Sequence, residues 1–400
     1  MENLSDSDKI KMILNTAYNK TKNNKKGKKA NYIPELAKAD ETKFGITICM
    51  VNGEIFKIGD SNYKVPIESI SKLFSYGAAL NKFGINTMLK RIGSGGSQLP
   101  FNSILGVLFS DSHTISPFIN AGAIATTSCH YVPTYNEATA KGPCRYDKNY
   151  NAAYRARMKA IIEHYRGAGL KVDKDVFKSE DSTNDLNTAI AYVLKLNKKM
   201  YGPVLQCLDA YTWQGSLLVD STDLAILGAV FANGGVHPLN NSRINTETDV
   251  AHLLNSLQAM GLYQYSSIWE IKTGGRVYAK SGVGGGLIII LPNLCSIGIV
   301  SPRLDKYGNS VRGIEAGLIL SQLLSSQFLN NKIFEGFRYK DEEDKPNLHR
   351  QLNRIKGKKR KYTNKSYGPA TIGPFKYNKT HKKKLAGIVP ILNTAQKKTS

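Results

Sequence analysis

The chain has 400 residues, 41% of them apolar, and a formal net charge of +24, enough to bury one large core or two modest ones. Its five cysteines (Cys49, Cys129, Cys144, Cys207 and Cys295) are odd in number and never spaced as Cys-x-x-Cys. The histidines show no ligand spacing either, so the composition argues against a disulfide framework or a metal centre and for a reducing interior. The longest apolar stretch, residues 287–300, is interrupted by Pro292 and Asn293 and is too short to span a bilayer.

In chain order, the acidic, polar start Met1 to Asp8 is unlike a signal peptide, which suggests an intracellular, cytoplasmic protein. Residues 1–30 end in the lysine-rich run Asn19 to Lys29 and are expected to form a flexible basic arm. Phe44 to Val51, Asn52-Gly53 and Glu54 to Ile58 read as a hairpin with a type I′ turn. Ser69 to Phe83 reads as a helix with Leu73, Phe74, Gly77 and Leu80 on one face, ended by Gly84. Further helices are expected over Tyr154 to Gly169, Glu180 to Leu196, Thr222 to Ala232 and Gly313 to Leu329. Val277 to Ser281, Leu287 to Leu291 and Cys295 to Val300 read as strands of a meander. Strands at both ends of a helical middle predict an α+β fold, an antiparallel sheet flanked by helices plus a helical subdomain. The expected layout is a catalytic domain over 31–330 followed by a basic, flexible tail over 331–400. From Asn331 onward the sequence carries 19 Lys/Arg against 5 Asp/Glu.

Two motifs carry chemistry. Ser69-Ile-Ser-Lys72 follows Pro66 at a helix start, so Ser69 and Lys72 share one helix face. A lysine amine, with a reference pKa of about 10.4, becomes a useful base near neutrality only if burial lowers that value. Far downstream, Lys280-Ser-Gly-Val283 opens a glycine-rich hairpin whose main-chain N–H could help form an oxyanion hole. A Ser-x-x-Lys helix paired with a Lys-Ser-Gly strand is the arrangement of penicillin-recognising serine enzymes.

The chain resembles the serine-dependent glutaminases, whose fold is similar to that of β-lactamases and DD-peptidases. The resemblance rests on landmarks recurring in order over residues 32–329: Tyr32-Ile-Pro-Glu-Leu-Ala, Ser69-Ile-Ser-Lys-Leu-Phe, Phe101-Asn-Ser, Pro117-Phe-Ile-Asn-Ala-Gly-Ala-Ile124, Ser179-Glu180, Asn187, Asp223-Leu-Ala, Ala232-Asn-Gly-Gly, Met260-Gly-Leu-Tyr263, Ala279-Lys-Ser-Gly-Val283 and Ser301-Pro-Arg-Leu-Asp with Gly308-Asn-Ser. It implies an amidohydrolase converting L-glutamine to L-glutamate and ammonia, a homo-oligomer (dimer or tetramer) and no cofactor. It also implies Ser69 as acylated nucleophile, Lys72 as its activator, and the Ser69 and Val283 amides as oxyanion donors. Tyr263 would relay a proton to the leaving ammonia, with Tyr211 beside it, while Tyr32, Asn120, Glu180 and Asn187 would hold the amino-acid end of the substrate. Glu180 can supply the carboxylate that an ammonium group needs, and its seven-residue spacing from Asn187 suits two turns of one helix.

Departures from the pattern are specific. Glu68 replaces the usual glutamine before the nucleophile, Ser94-Gly-Gly-Ser-Gln98 stands where Glu-Pro-Ser-Gly is usual, and Ser116-Pro-Phe118 replaces Asn-Pro-Met. Leu186 replaces an arginine, Gly215 replaces a cysteine, and Tyr263 and Val283 stand two residues further apart than usual. Cys129 to Ala153 reads as a surface insertion. Of these, Glu68 is the change expected to weaken activity or shift substrate. The basic runs Arg354 to Tyr362 and His381 to Lys384 would suit nucleic-acid contact or a nuclear address. Two rival functions follow: another serine amidohydrolase or peptidase of the same fold, or a catalytically weak scaffold that binds nucleic acid through its ends.

Overall fold

The computed structural model describes residues 4–109, 112–133 and 148–329. The basic tail expected over 331–400 lies outside these residues, as does most of the 129–153 segment expected to be an insertion.

A five-stranded antiparallel sheet is built from β1 (Gly45–Met50), β2 (Ile55–Gly59), β6 (Tyr278–Ser281), β7 (Gly286–Leu291) and β8 (Cys295–Val300), in the order β2-β1-β8-β7-β6. β1, β7 and β8 are buried along their whole length, so their near-continuous runs of Ile, Leu and Val reflect helices on both faces. On one face lies α10 (Ser221–Ala232), buried all round and pressed against β1, β7 and β8. A Cβ on Gly228 would stand 2.1 Å from Ser296 Oγ, and one on Gly298 2.1 Å from the Ser221 carbonyl oxygen. Bare glycine is what lets this helix sit directly on the strands.

The other face carries α13 (Val311–Phe328) and α1 (Asp6–Thr21). This corrects the expectation of a loose arm over 1–30. Ile10, Ile13, Leu14 and Ala17, spaced i, i+3, i+4 and i+7, bury one stripe of α1, and Ser5 caps its start by accepting from the Asp8 amide. The hairpin also needs correction. Asn52 lacks the positive φ of a type I′ turn, and Gly53 alone takes it (φ 89°). The Gly53 amide donates to the Met50 carbonyl and the Met50 amide to the Glu54 carbonyl, which closes a three-residue loop.

The helical lobe is built round α2 (Ser71–Phe83), buried over most of its length, with Gly84 at φ 77° ending it. Around it pack α5 (Asn120–Cys129), α6 (Lys148–Arg166) and α11 (Glu247–Met260), joined through the lobe by α8 (Asp185–Leu196) and α9 (Val204–Gly215). The single helix expected from Glu180 to Leu196 is two: α7 (Lys174–Ser182) ends at Thr183, and α8 restarts after Asn184. The run Ser182-Thr183-Asn184 favours local side-chain bonding over continued helix, and the Thr183 hydroxyl indeed donates to the Ser179 carbonyl. A second small sheet, β3 (Val65–Pro66), β5 (Leu217–Val219) and β4 (Lys171–Val172) in that order, ties the entry to α2 to the lobe.

Candidate active site

The segment that leads into α2 makes the centre of the site. β3 pairs with β5, the Ile67 amide donates to the Leu217 carbonyl at 2.7 Å, and residues Glu68–Ile70 form a 3-10 turn carrying Ser69. Glu68 sits at φ 52°, a left-handed conformation that costs a non-glycine residue about 1–3 kcal/mol. Tyr263, whose phenol interacts with the Ser69 hydroxyl, also lies in this region at φ 58°. Two strained residues thus flank Ser69, which is half-buried and lines a cleft of about 220 Å³.

The turn after β6 closes the site from the sheet side. A Cβ on Gly282 would stand 2.6 Å from the Ile67 carbonyl oxygen and 3.2 Å from Glu68 Cβ, and one on Gly284 2.5 Å from the Pro66 carbonyl oxygen. Glycines here bring the 282–285 turn, with Val283, into direct contact with the nucleophile turn, so the two sequence-distant motifs lie side by side.

Lys72 and Lys280 are both fully buried. Lys72 Nζ donates to Asn120 Oδ1 at 2.6 Å and stands 5.8 Å from the centre of the Tyr211 ring. Burial lowers its pKa to about 7, against the opposing pull of Glu180 and Glu68. Lys280 Nζ donates to the Ser281 carbonyl at 2.7 Å and lies 3.4 Å from the Tyr263 phenol oxygen, over that ring. Burial, and then the like charge of Lys72, hold Lys280 well below the usual lysine range. Burial raises Tyr263 to about 12, so it remains a phenol and a donor. Its hydroxyl donates to the Ser281 carbonyl at 3.2 Å.

A one-way chain of amides fixes the far side. Asn120 Nδ2 donates to Asn187 Oδ1 (2.8 Å), Asn187 Nδ2 to Asn184 Oδ1 (2.7 Å), and Asn184 Nδ2 to Thr212 Oγ1 (3.1 Å). Because Asn120 accepts from Lys72, each amide downstream has a defined direction. Asn120 is the first residue of α5, and its own amide donates to the Phe101 carbonyl at 2.8 Å.

Of the residues expected at the site, Tyr32, Ser69, Asn120, Glu180, Asn187, Tyr211 and Val283 all line the cleft. Lys72 and Tyr263 do not line it: Tyr263 interacts with the Ser69 hydroxyl, and Lys72 is buried against Asn120 one turn along from Ser69. Tyr32 stands at the mouth, 54% exposed. Glu180 and Asn187 both face the cleft although a helix break separates them, so a bend rather than a straight two-turn spacing brings them together. Glu180 is raised to about 7, chiefly by burial and against the pull of Lys72.

Sequence reasoning assigned no role to Asn184, Phe101 or Lys280. Asn184 ends the Ser-Thr-Asn run that breaks the helix, a cap signal that could have marked it. The Phe101 ring lies 4.8 Å from that of Tyr263, and nothing in its local sequence announces this contact. Lys280 lies in the Lys-Ser-Gly motif. Alternation on a strand buried on both faces could not show that its amine is desolvated beside Tyr263.

The fold is that of the amidohydrolases of the serine β-lactamase-like type. The glutaminase family model matches residues 27–328. A glutaminase of Colwellia psychrerythraea is 38% identical over 307 residues, 77% of this chain and 93% of its own length. A glutaminase of Mycobacterium ulcerans is 34% identical over 325 residues, 80% of this chain and 95% of its own. Among solved structures, the probable glutaminase ybaS superposes with a TM-score of 0.73 at 32% identity, covering 80% of this chain and 98% of that one. A probable glutaminase from Bacillus subtilis, solved in complex with 6-diazo-5-oxo-L-norleucine, superposes at 0.62 with 26% identity, covering 80% and 92%. The chain belongs to the glutaminase family. It is therefore an amidohydrolase.

Proposed function

We propose that this chain hydrolyses L-glutamine to L-glutamate and ammonia through an acyl-enzyme on Ser69. The observation that carries the reading is Lys72, a buried amine brought to about 7 and hydrogen-bonded to Asn120, one turn from a partly exposed serine. In the first half-reaction the free Lys72 amine takes the Ser69 proton as Oγ attacks the side-chain amide carbon. The Ser69 and Val283 amides hold the resulting oxyanion, and losing one such donor typically costs about 100- to 1,000-fold in turnover. The proton that Lys72 has taken then passes, with Tyr263 as relay beside Tyr211, to the amide nitrogen, so that the C–N bond breaks, ammonia leaves, the glutamyl ester remains and Lys72 is again a free amine. Water attacks this ester, Lys72 takes the water's proton, and L-glutamate leaves as Ser69 regains its hydrogen.

Substrate choice follows from the far end of the cleft. Glu180 accepts the α-ammonium, while the Asn120 and Asn187 amides and the Tyr32 phenol offer donors to the α-carboxylate. A cleft of about 220 Å³ is below the range that encloses drug-sized ligands, which favours a free amino acid over a peptide. The Bacillus subtilis relative was solved with 6-diazo-5-oxo-L-norleucine, a free amino-acid derivative, which supports a free amino acid as substrate here. Asparagine, one methylene shorter, should be discriminated by about 10- to 200-fold.

The test is ammonia release and L-glutamate formation by the purified protein, with intact-mass analysis of protein quenched during turnover. Glutamine hydrolysis, a transient mass increase matching a glutamyl adduct, and loss of both in Ser69→Ala are expected. Hydrolysis that survives Ser69→Ala would overturn the covalent mechanism, and a wild type inert towards glutamine would overturn the substrate.

A further inference from the structure

Glu68 is a buried titratable group lining the cleft that the mechanism above leaves unused. Its Oε1 is withdrawn from solvent and has no hydrogen-bond partner among the described residues, and the same holds for Oε2 of Glu180. Both residues line the one cleft. A Cβ placed on Gly215 would stand 3.8 Å from Glu180 Oε2 and 3.8 Å from Glu68 Cα, so the Glu180 carboxyl and the Glu68 backbone meet at that glycine, and the two carboxyls are close enough for the charge of Glu180 to act on Glu68. Among the described residues no Lys or Arg comes within ion-pair distance of either carboxyl, and Lys72 Nζ is engaged by Asn120.

Two buried carboxyls over one small cleft cannot both stay ionised without a cation between them. A zwitterionic amino acid brings one cation, the α-ammonium, which suffices for one carboxylate. It also brings a carboxylate of its own, which an ionised Glu68 would repel and a protonated Glu68 would bind. We propose that Glu68 is a specificity-determining residue of this site, presenting a neutral carboxylic O–H that donates a hydrogen bond to the α-carboxylate of the substrate, while Glu180 takes the ammonium. The assignment rests on the glutamine-hydrolysing reading and deepens it.

The electrostatic surroundings agree. Burial and then the negative charge of Glu180 raise Glu68 well above the usual carboxyl range, opposed only by Lys72. The other titratable groups facing it are the phenols of Tyr32, Tyr211 and Tyr263, each made harder to ionise by Glu68, and none supplies a positive charge. Lys280, on the neighbouring strand, is turned to the Ser281 carbonyl and Tyr263. The backbone places it well: Glu68, held at a left-handed φ, lines the cleft from the position directly before the nucleophile.

Glu68→Gln keeps a donor and loses the proton, whereas Glu68→Ala removes the donor. Both are compared with wild type over a pH series, with L-glutamine and with L-glutamine α-amide, which has no α-carboxylate, and thermal unfolding checks that each variant is folded. Glu68→Ala should raise KM for glutamine by roughly 10- to 100-fold with a much smaller change in kcat, and should leave the α-amide almost unaffected. In wild type, KM should climb at alkaline pH before the substrate's own ammonium titrates, and Glu68→Gln should abolish that early climb. Equal effects of Glu68→Ala on both substrates, or an alkaline climb that persists in Glu68→Gln, would overturn the assignment while leaving the glutaminase reading intact. Should wild type release no ammonia from glutamine, that reading falls, and L-glutamate binding by calorimetry decides the role of Glu68. Binding that weakens with rising pH in wild type but not in Glu68→Gln upholds the donor; identical pH dependence, or no binding, removes it.

Discussion

Lys72 ties the protonation state of a single amine to the whole reaction. Its pKa is lowered to about 7 mainly by burial, so the free base is the minority form in acid and the majority form in alkali. On the acid side, kcat/KM for glutamine should therefore fall about tenfold per pH unit below that value. Lys72→Arg should flatten the activity over the whole range, because a guanidinium does not surrender its proton and its planar fork cannot occupy the same space. A pH–rate profile without an acid limb near neutrality would show that another group limits the reaction. Glu180 acts on binding rather than on proton transfer. Glu180→Gln keeps its size but removes the charge that meets the α-ammonium, and a hydrogen bond to a charged group is worth about 1.5–3 kcal/mol. The expected result is a rise in KM of roughly 10- to 100-fold with kcat changed far less. A purely kcat effect would place the substrate's ammonium elsewhere.

Between elements, the site is a matter of glycine-mediated contact, and the 282–285 turn is its sensitive point. Gly282→Ala would force a Cβ to 2.6 Å from the Ile67 carbonyl oxygen, backbone that cannot swing aside as a side-chain tip could. The turn must retreat from Ser69, taking the Val283 amide with it. A loss of about 100- to 1,000-fold in kcat is expected, with binding of L-glutamate largely kept. Equal losses of affinity and turnover would mean that the cleft itself had collapsed. The two motifs were readable because each combines reactive residue types with a strong local signal, a helix start at Ser69 and a Gly-rich strand end at Gly282. The long runs in β1, β7, β8, α10 and α13 were readable for a similar reason: a continuous apolar pattern has few other solutions. α5 was not, because Asn120-Ala-Gly-Ala-Ile-Ala-Thr-Thr-Ser-Cys is small and buried on every side, with no polar face to set a period. The break at Thr183 and Asn184, and the amide chain it aligns, depend on partners from α5 and α9 far away in sequence. Spacing alone shows one helix there.

At the scale of the whole molecule, charge misled where hydrophobic period would have served. Residues 20–29 are so lysine-rich that the N-terminus reads as a solvated arm, yet the preceding Ile10, Ile13, Leu14 and Ala17 form the stripe that seats α1 against α13 and β2. The seat is cemented further along: Arg312 of α13 donates to the Glu41 and Lys43 carbonyls, and Asn24 Nδ2 donates to Glu315 at 2.6 Å. α1 precedes residue 27, where the family model begins to match. It also covers the sheet face opposite α10, away from the cleft formed by the helical lobe and the β6–β7 turn. Stability and catalysis should therefore separate here. Leu14 is buried, and Leu14→Ala should cost about 2–5 kcal/mol through lost transfer energy and a residual cavity. Its urea midpoint should drop while kcat and KM for glutamine, measured well below that midpoint, stay at wild-type values. An unchanged midpoint would return α1 to the status of an arm. A changed KM would mean that the helix reaches the cleft through the sheet, and the two faces of the molecule could no longer be treated as independent.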